Sequence, residues 1–173
     1  MGDVLIRTAT LDDLEHLCDV LVDCVEGGAS VSFMSPLDRG RASDFWRTVL
    51  DSAQREERVV LVADDAELGV VGTVQLVFAE PENQPHRADV AKLLLHRAAR
   101  GRGVADRLME AAEDAAWERG RTVLVLDTAS AAAERVYERR GWVRVGVVPD
   151  YALLPDGGLV DTALYYKRLA TRR

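Results

Sequence analysis

Two periods of apolar residues divide this 173-residue chain. Leu11, Leu14, Cys18, Leu21 and Val25 recur at three- and four-residue steps, the spacing of one helix face. Thr10 followed three positions later by Asp13 gives that helix a capping-box start, and Gly27-Gly28 ends it. Before it, the run over 4–10 reads as a short strand. Ala42, Phe45, Trp46, Val49 and Ala53 predict a second helix beginning near Ser35-Pro36, with Gly40 weakening its first turn. The segment EGGASVSFMSP between the two helices reads as a surface loop.

From residue 58 the period changes. RVVLVADD and GVVGTVQLVFAE are rich in β-branched residues and joined by a short polar turn, which predicts an antiparallel pair. A loop, PENQPHR, leads into a third strand, ADVAKLLLH. Leu108, Met109, Ala112, Ala115 and Ala116 then form a helix face, opposite a face carrying Glu110, Asp114 and Glu118, and Gly120 stops the helix. TVLVLD follows as a buried strand. Because a helix separates it from ADVAKLLLH, these two strands are predicted to run parallel. A short helix over AAAERVYERR, stopped by Gly141, and an antiparallel pair, WVRVGVV and LVDTALYYKRL, close the chain. The sum is one α/β domain over 1–173, with a mixed, mostly antiparallel sheet and one β-α-β crossover.

Composition narrows the function. At 48% hydrophobic and 29% charged the chain has the balance of a globular domain. No apolar run approaches the roughly 20 residues of a membrane span, and the N-terminus lacks the layout of a secretion signal, so a cytoplasmic location without membrane contact is expected. A net charge of −7 argues against nucleic-acid binding. Cys18 and Cys24 are too far apart along one helix for a local bridge and read as buried thiols. Two cysteines with scattered His16, His86 and His96 do not supply a zinc site, so no metal is expected.

The junction RGRGVA, residues 100–105, offers candidate chemistry. With Val104 opening the helix, the N–H groups of Arg102, Gly103, Val104 and Ala105 lack intrahelical partners and converge at the positive end of the dipole, where a pyrophosphate fits. A P-loop is excluded because no Gly-Lys-Ser/Thr follows, and a dinucleotide fingerprint because Asp106 replaces its third glycine. Locally, a tight glycine turn explains the same residues equally well.

LLLHRAARGRGVADRLM resembles the signature of the GNAT superfamily of N-acetyltransferases, matched by Arg100, Gly103 and Ala105. A second landmark of that family is matched by Ala133, Tyr137, Gly141 and Trp142, and the element order is also similar. HRADVAKLLLHRAARGRG, LDT and PDYALLPDGGLVDTALYYKRL look most like the tabtoxin-resistance type, which acetylates an amino group on a small toxin. Arg97 and Ser130 depart from the residues, proline and asparagine, that many members carry at those positions.

The resemblance implies a GNAT-like fold with splayed central strands and acetyl-CoA as donor. It places the pyrophosphate on the amides of Gly101, Arg102, Gly103, Val104 and Ala105, beside Arg100. It also brings the strand backbone at Leu93 and Leu95 to the thioester, where N–H groups can stabilise an oxyanion. It makes Tyr137 the general acid; from the local pattern alone, Tyr137 would be core packing on an apolar helix face. For the base, Asp127 at the end of a buried strand and Asp89, which shares strand parity with Leu93 and Leu95, both qualify. Asp127 could instead cap the next helix with Thr128, and Asp89 could pair with Arg87 or Lys92. Glu80 and Glu82 are remoter candidates, and Tyr151, Asp156 and Trp46 are candidate substrate contacts. The implied activity is acetyl transfer to a primary amine of a small molecule by direct attack on the thioester. A non-catalytic acyl-CoA-binding regulatory module is the alternative, and the oligomeric state is open, a homodimer included.

Overall fold

A computed structural model of the chain describes residues 3–170; positions 1–2 and 171–173 of the expected domain lie outside them. Seven strands form a single sheet: β1 (Val4–Thr8), β2 (Arg58–Asp65), β3 (Gly69–Phe78), β4 (Arg87–Leu95), β5 (Val123–Thr128), β6 (Val143–Leu153) and β7 (Leu159–Arg168). Their spatial order is β1-β2-β3-β4-β5-β7-β6. The helices are α1 (Leu14–Glu26), α2 (Arg39–Gln54), α3 (Val104–Glu118) and α4 (Ala131–Arg139). The expected α/β class, element order and crossover are all present, β4 and β5 being the parallel pair.

β2 and β3 are apolar in runs rather than alternately because both of their faces are covered. On one face Val59, Leu61, Val74 and Leu76 pack with Leu108, Met109 and Ala112 of α3. On the other, Val60, Val62 and Val70 pack with Leu17 and Leu21 of α1 and Trp46 and Val49 of α2. Helices therefore shield both sides, and the sheet ends at β6, whose residues are mostly exposed.

Three boundaries differ from the sequence expectation, each for a local reason. The capping box of Thr10 and Asp13 forms, but it closes a short 3₁₀ turn over Leu11–Asp13, which leaves Leu11 exposed rather than on the α1 face. The second helix starts at Arg39, where the Asp38 side chain accepts from the Arg41 N–H at 3.0 Å and fixes the first turn. β6 continues past Pro149 to Leu153 through an irregularity in its pairing between Val148 and Ala152, with Asp150 at φ 51°. An outer strand tolerates a proline in this way because its free edge owes no hydrogen bond.

The β4–β5 pairing matters most for function. It spans three residue pairs only, Arg87–Val123, Ala88–Leu124 and Asp89–Val125, after which the strands separate. Across this divide, Glu113 of α3 accepts from Arg140 and Lys167, each at 2.9 Å, and from the Trp142 indole at 3.0 Å. That buried carboxylate ties α4, β6 and β7 to the helix packed on β2–β4.

Candidate active site

The cleft opens where β4 and β5 part, and α3 begins beside the C-terminal end of β4. Gly101 and Gly103 both have φ of +74°, a left-handed conformation that glycine adopts without strain. A Cβ built at either position would meet nothing within 4 Å, so open space lies before the loop. Asp38 and Ser130 cap α2 and α4 with their side chains, whereas Gly103 gives α3 no side-chain cap. The N–H groups of Gly103, Val104 and Ala105 have no hydrogen-bond partner among the described residues. The first turn of a 15-residue helix thus offers free donors at its positive end.

Neighbouring elements hold the loop in place. Asp23 of α1 accepts from both the Arg97 N–H and its Nε at 2.8 Å, so Arg97 fixes the loop's entry. The Cys24 thiol donates to the Leu95 carbonyl at 3.4 Å; burial raises its pKa, with Arg100 nearby opposing. Cys18 and Cys24 are both free, buried thiols. Arg102 ion-pairs with Asp65 at 2.6 Å, and Asp65 also accepts from the N–H groups of Glu67 and Leu68, which lower its pKa with Arg102. The Arg102 guanidinium thus ties the loop to the β2–β3 turn. Arg100 is exposed at the rim.

Tyr137 projects from α4 onto the α3 face of the sheet, its ring centroid 5.8 Å from those of Trp142 and Tyr165. Burial, then the charge of Asp127, raises its pKa above that of a free phenol. The ring packs in the core, as its place on an apolar helix face predicts, and its hydroxyl has no hydrogen-bond partner among the described residues. Tyr165, by contrast, donates to Glu134 at 2.6 Å.

Asp127 lies at the end of β5 on the opposite face, accepting from the Thr162 hydroxyl at 2.9 Å. It does not cap α4; Ser130 does, accepting from the Ala133 N–H at 3.3 Å, while Thr128 accepts from the Ser130 N–H. Asp89 differs from expectation. β4 carries a bulge between its Ala91 and Leu94 pairings, with Lys92 at φ 51°, and the bulge breaks the parity that would put Asp89 with Leu93 and Leu95. Leu93 and Leu95 pack on the α3 face, and the Asp89 carboxylate is bound by Arg87 at 2.8 Å. Glu80 and Glu82 fall in the β3–β4 loop, at the end of β4 away from Arg100–Ala105. Trp46 is fully buried in the α1–α2 core, which removes it as a substrate contact, while Tyr151 and Asp156 are exposed.

Lys92 is the residue that sequence reasoning passed over, although a single lysine inside an apolar strand was a visible signal. The bulge turns it toward the α1–α2 loop, where its Nζ donates to the Ser32 hydroxyl at 2.9 Å and lies 5.8 Å from the Phe45 ring centroid. Burial lowers its pKa, and Asp127 opposes that shift. The α1–α2 loop is itself tied to the β6–β7 hairpin: Ser35 N–H donates to Pro155 and Ser30 hydroxyl to Leu153. A separate cavity of about 360 Å³, lined by His16, Asp19, Asp23, Glu26 and His96, lies behind the loop, away from Tyr137, Asp127 and Lys92.

A family model described as the acetyltransferase (GNAT) family matches residues 28–142, a span that takes in the loop and Tyr137. An uncharacterized N-acetyltransferase from the hisH-hisA intergenic region of Azospirillum brasilense is 29% identical over 166 residues, covering 84% of this chain and 96% of its own. A ribosomal-protein-alanine N-acetyltransferase from Brucella melitensis superposes with a TM-score of 0.82 at 26% identity, over 95% of this chain and 99% of its own. The yncA putative acetyltransferase of Salmonella typhimurium, solved with its cofactor acetyl-CoA, superposes with a TM-score of 0.84 at 18% identity, over 99% and 97%.

Proposed function

As the chain belongs to the acetyltransferase (GNAT) family, we propose that it moves an acetyl group from acetyl-CoA to a primary amine of a small molecule, in the cytoplasm. The observation that carries this reading is the uncapped start of α3, with Gly101 and Gly103 left-handed before it and open space in front. These features fit an anionic diphosphate, which the amides of Gly101–Ala105 would hold, with Arg100 at the rim. When bound, acetyl-CoA supplies an activated acetyl thioester. The cleft edge of β4 beyond Asp89 is free of β5, which leaves the stretch holding Leu93 and Leu95 open to an extended ligand.

The faces of the sheet divide the work between them. Tyr137 holds a proton on the α3 side and gives it to the departing sulfur. Asp127, on the α1–α2 side, takes a proton from the incoming ammonium, directly or through water. The position of Asp127 beside the cleft favours it over Asp89, which Arg87 already binds. A small polar amine, as the likeness of the 86–103 and 149–169 stretches to the tabtoxin-resistance type implies, suits a cleft roofed by the joined α1–α2 and β6–β7 loops. We also propose a homodimer: β6 presents a free backbone edge with exposed Val143, Val145 and Val147, which a second copy of that edge would complement about a twofold axis. Monomeric sedimentation would remove that part of the reading.

The test is thiol release from acetyl-CoA with a panel of small amines. Turnover with at least one amine is expected. Tight binding of acetyl-CoA with no turnover on any acceptor would favour the non-catalytic regulatory module.

A further inference from the structure

The α1–α2 side of the cleft holds two opposite charges that do not meet. Asp127 is near enough to oppose the loss of basicity that burial imposes on Lys92, yet the Lys92 Nζ bonds Ser32 and the two form no direct ion pair. The Lys92 ammonium has three donors, and among the described residues only the Ser32 hydroxyl accepts from it. Asp127 has Thr162 as its partner and lone pairs to spare. A half-buried cation held this way is costly unless an anion completes it.

The placement of Lys92 is built rather than incidental. Left-handed backbone at a lysine is uncommon and costs energy, and the bulge in β4 is what turns this side chain toward Ser32 and the α1–α2 loop, within electrostatic reach of Asp127. Val31 and Phe33, on either side of Ser32, pack against the α1–α2 core, and Phe33 stacks edge-on with Phe45 at 5.2 Å. Ser32 is thereby set above the cleft as a fixed acceptor for Lys92.

We propose that Lys92 is a specificity residue that binds an anionic group on the acceptor, so that the preferred substrate is a zwitterion carrying a carboxylate, or an equivalent oxyanion, beside its reacting amine. The inference rests on the assignment of the chain as an acetyltransferase of small amines and names their class. The substrate's ammonium faces Asp127 and its carboxylate faces Lys92, bridging the gap that the two side chains leave. Orientation follows as well: a molecule held at both ends presents its amine at the Asp127 end, beside the divide between β4 and β5. Binding of the anion also restores the basicity that burial takes from Lys92, so the ammonium stays charged in the complex.

The experiment compares amino acids with their carboxamides as acceptors for the full-length protein, following thiol release from acetyl-CoA. The pairs match in size and in the reacting group. The carboxamides have the less basic amine and so more free base at neutral pH, which means that amine reactivity alone would favour them. The expected result is a kcat/KM at least about tenfold higher for the amino acids, the scale of a charge-assisted contact. In Lys92→Met that ratio should fall to one or below it through a higher KM for the amino acids, and Lys92→Arg should restore much of it. Circular dichroism and the thermal shift given by acetyl-CoA check that each variant is folded and binds the donor.

Equal use of both series by the unaltered protein would overturn the inference while leaving the acetyltransferase assignment in place. A carboxylate preference that survives in folded Lys92→Met would overturn the role of Lys92. Turnover of neither series, while another small amine of the panel reacts, would overturn this inference and leave the small-amine reading standing; no turnover of any amine, with acetyl-CoA bound, would overturn both.

Discussion

Tyr137 and Asp127 lie on opposite faces of the sheet, and the roles proposed for them are opposite. Burial raises the Tyr137 pKa, and the Asp127 charge adds to that, so the phenol keeps its proton at every pH at which the enzyme would work. Tyr137→Phe should therefore slow turnover by roughly a hundredfold, the low end for loss of a general acid, without changing the shape of the pH–rate profile. Donor affinity should stay nearly constant; undiminished turnover would remove Tyr137 from the mechanism. Asp127→Asn should behave differently. Without the carboxylate only amine already free in solution can react, so the rise of kcat/KM with pH should move upward toward the pKa of the acceptor itself. A profile that does not move would shift the proton-accepting role to Asp89.

At the scale of elements, the start of α3 makes a prediction that separates strain from binding. Gly103 and Gly120 sit at the two ends of that helix with φ of +74° and +69°, and neither has a neighbour that an added methyl would touch. Alanine at either position should cost about 1 kcal/mol, a loss of about 2–4 °C in Tm. Only Gly103→Ala should also weaken acetyl-CoA binding, because its methyl enters the space in front of the free amides. Equal affinity in the two variants would take the loop out of the binding site. Elements of this kind were legible in the sequence because periodicity and glycine punctuation are local: the α3 face from Leu108 to Ala116 and its stop at Gly120 stand as the spacing required. The β4 bulge was not legible. It arises from how Ala91 and Leu94 register against β3, a relation between distant segments, and it is what displaces Asp89 from the face of Leu93 and brings in Lys92. The Arg102–Asp65 ion pair was not legible for a similar reason, since the two residues lie 37 positions apart.

For the molecule as a whole, the three-pair junction between β4 and β5 sets the limit on cooperativity. β1 to β4 with α1, α2 and α3 form one body of contacts, and β5, β7 and β6 with α4 form another. Between them run the three pairs, the shared core around Leu108 and Leu124, the Glu113 contacts, the Arg139–Asp106 ion pair and the hydrogen bonds of the α1–α2 loop to the β6–β7 hairpin. Native proteins open along their weakest seams, in units that follow such supersecondary groups. A ligand lying between β4 and β5 would then act as a clasp as well as a reactant, stabilising the joined state by mass action. Scanning calorimetry of the free protein should give a transition broader than two-state, or split in two, and saturating acetyl-CoA should merge it into one sharper transition at higher temperature. Amide exchange should slow on donor binding at Val90–Leu95 and Leu126–Thr128 together. The seam that admits the donor would thus also make the C-terminal third of the chain the part that a cell's proteases meet first when donor is scarce.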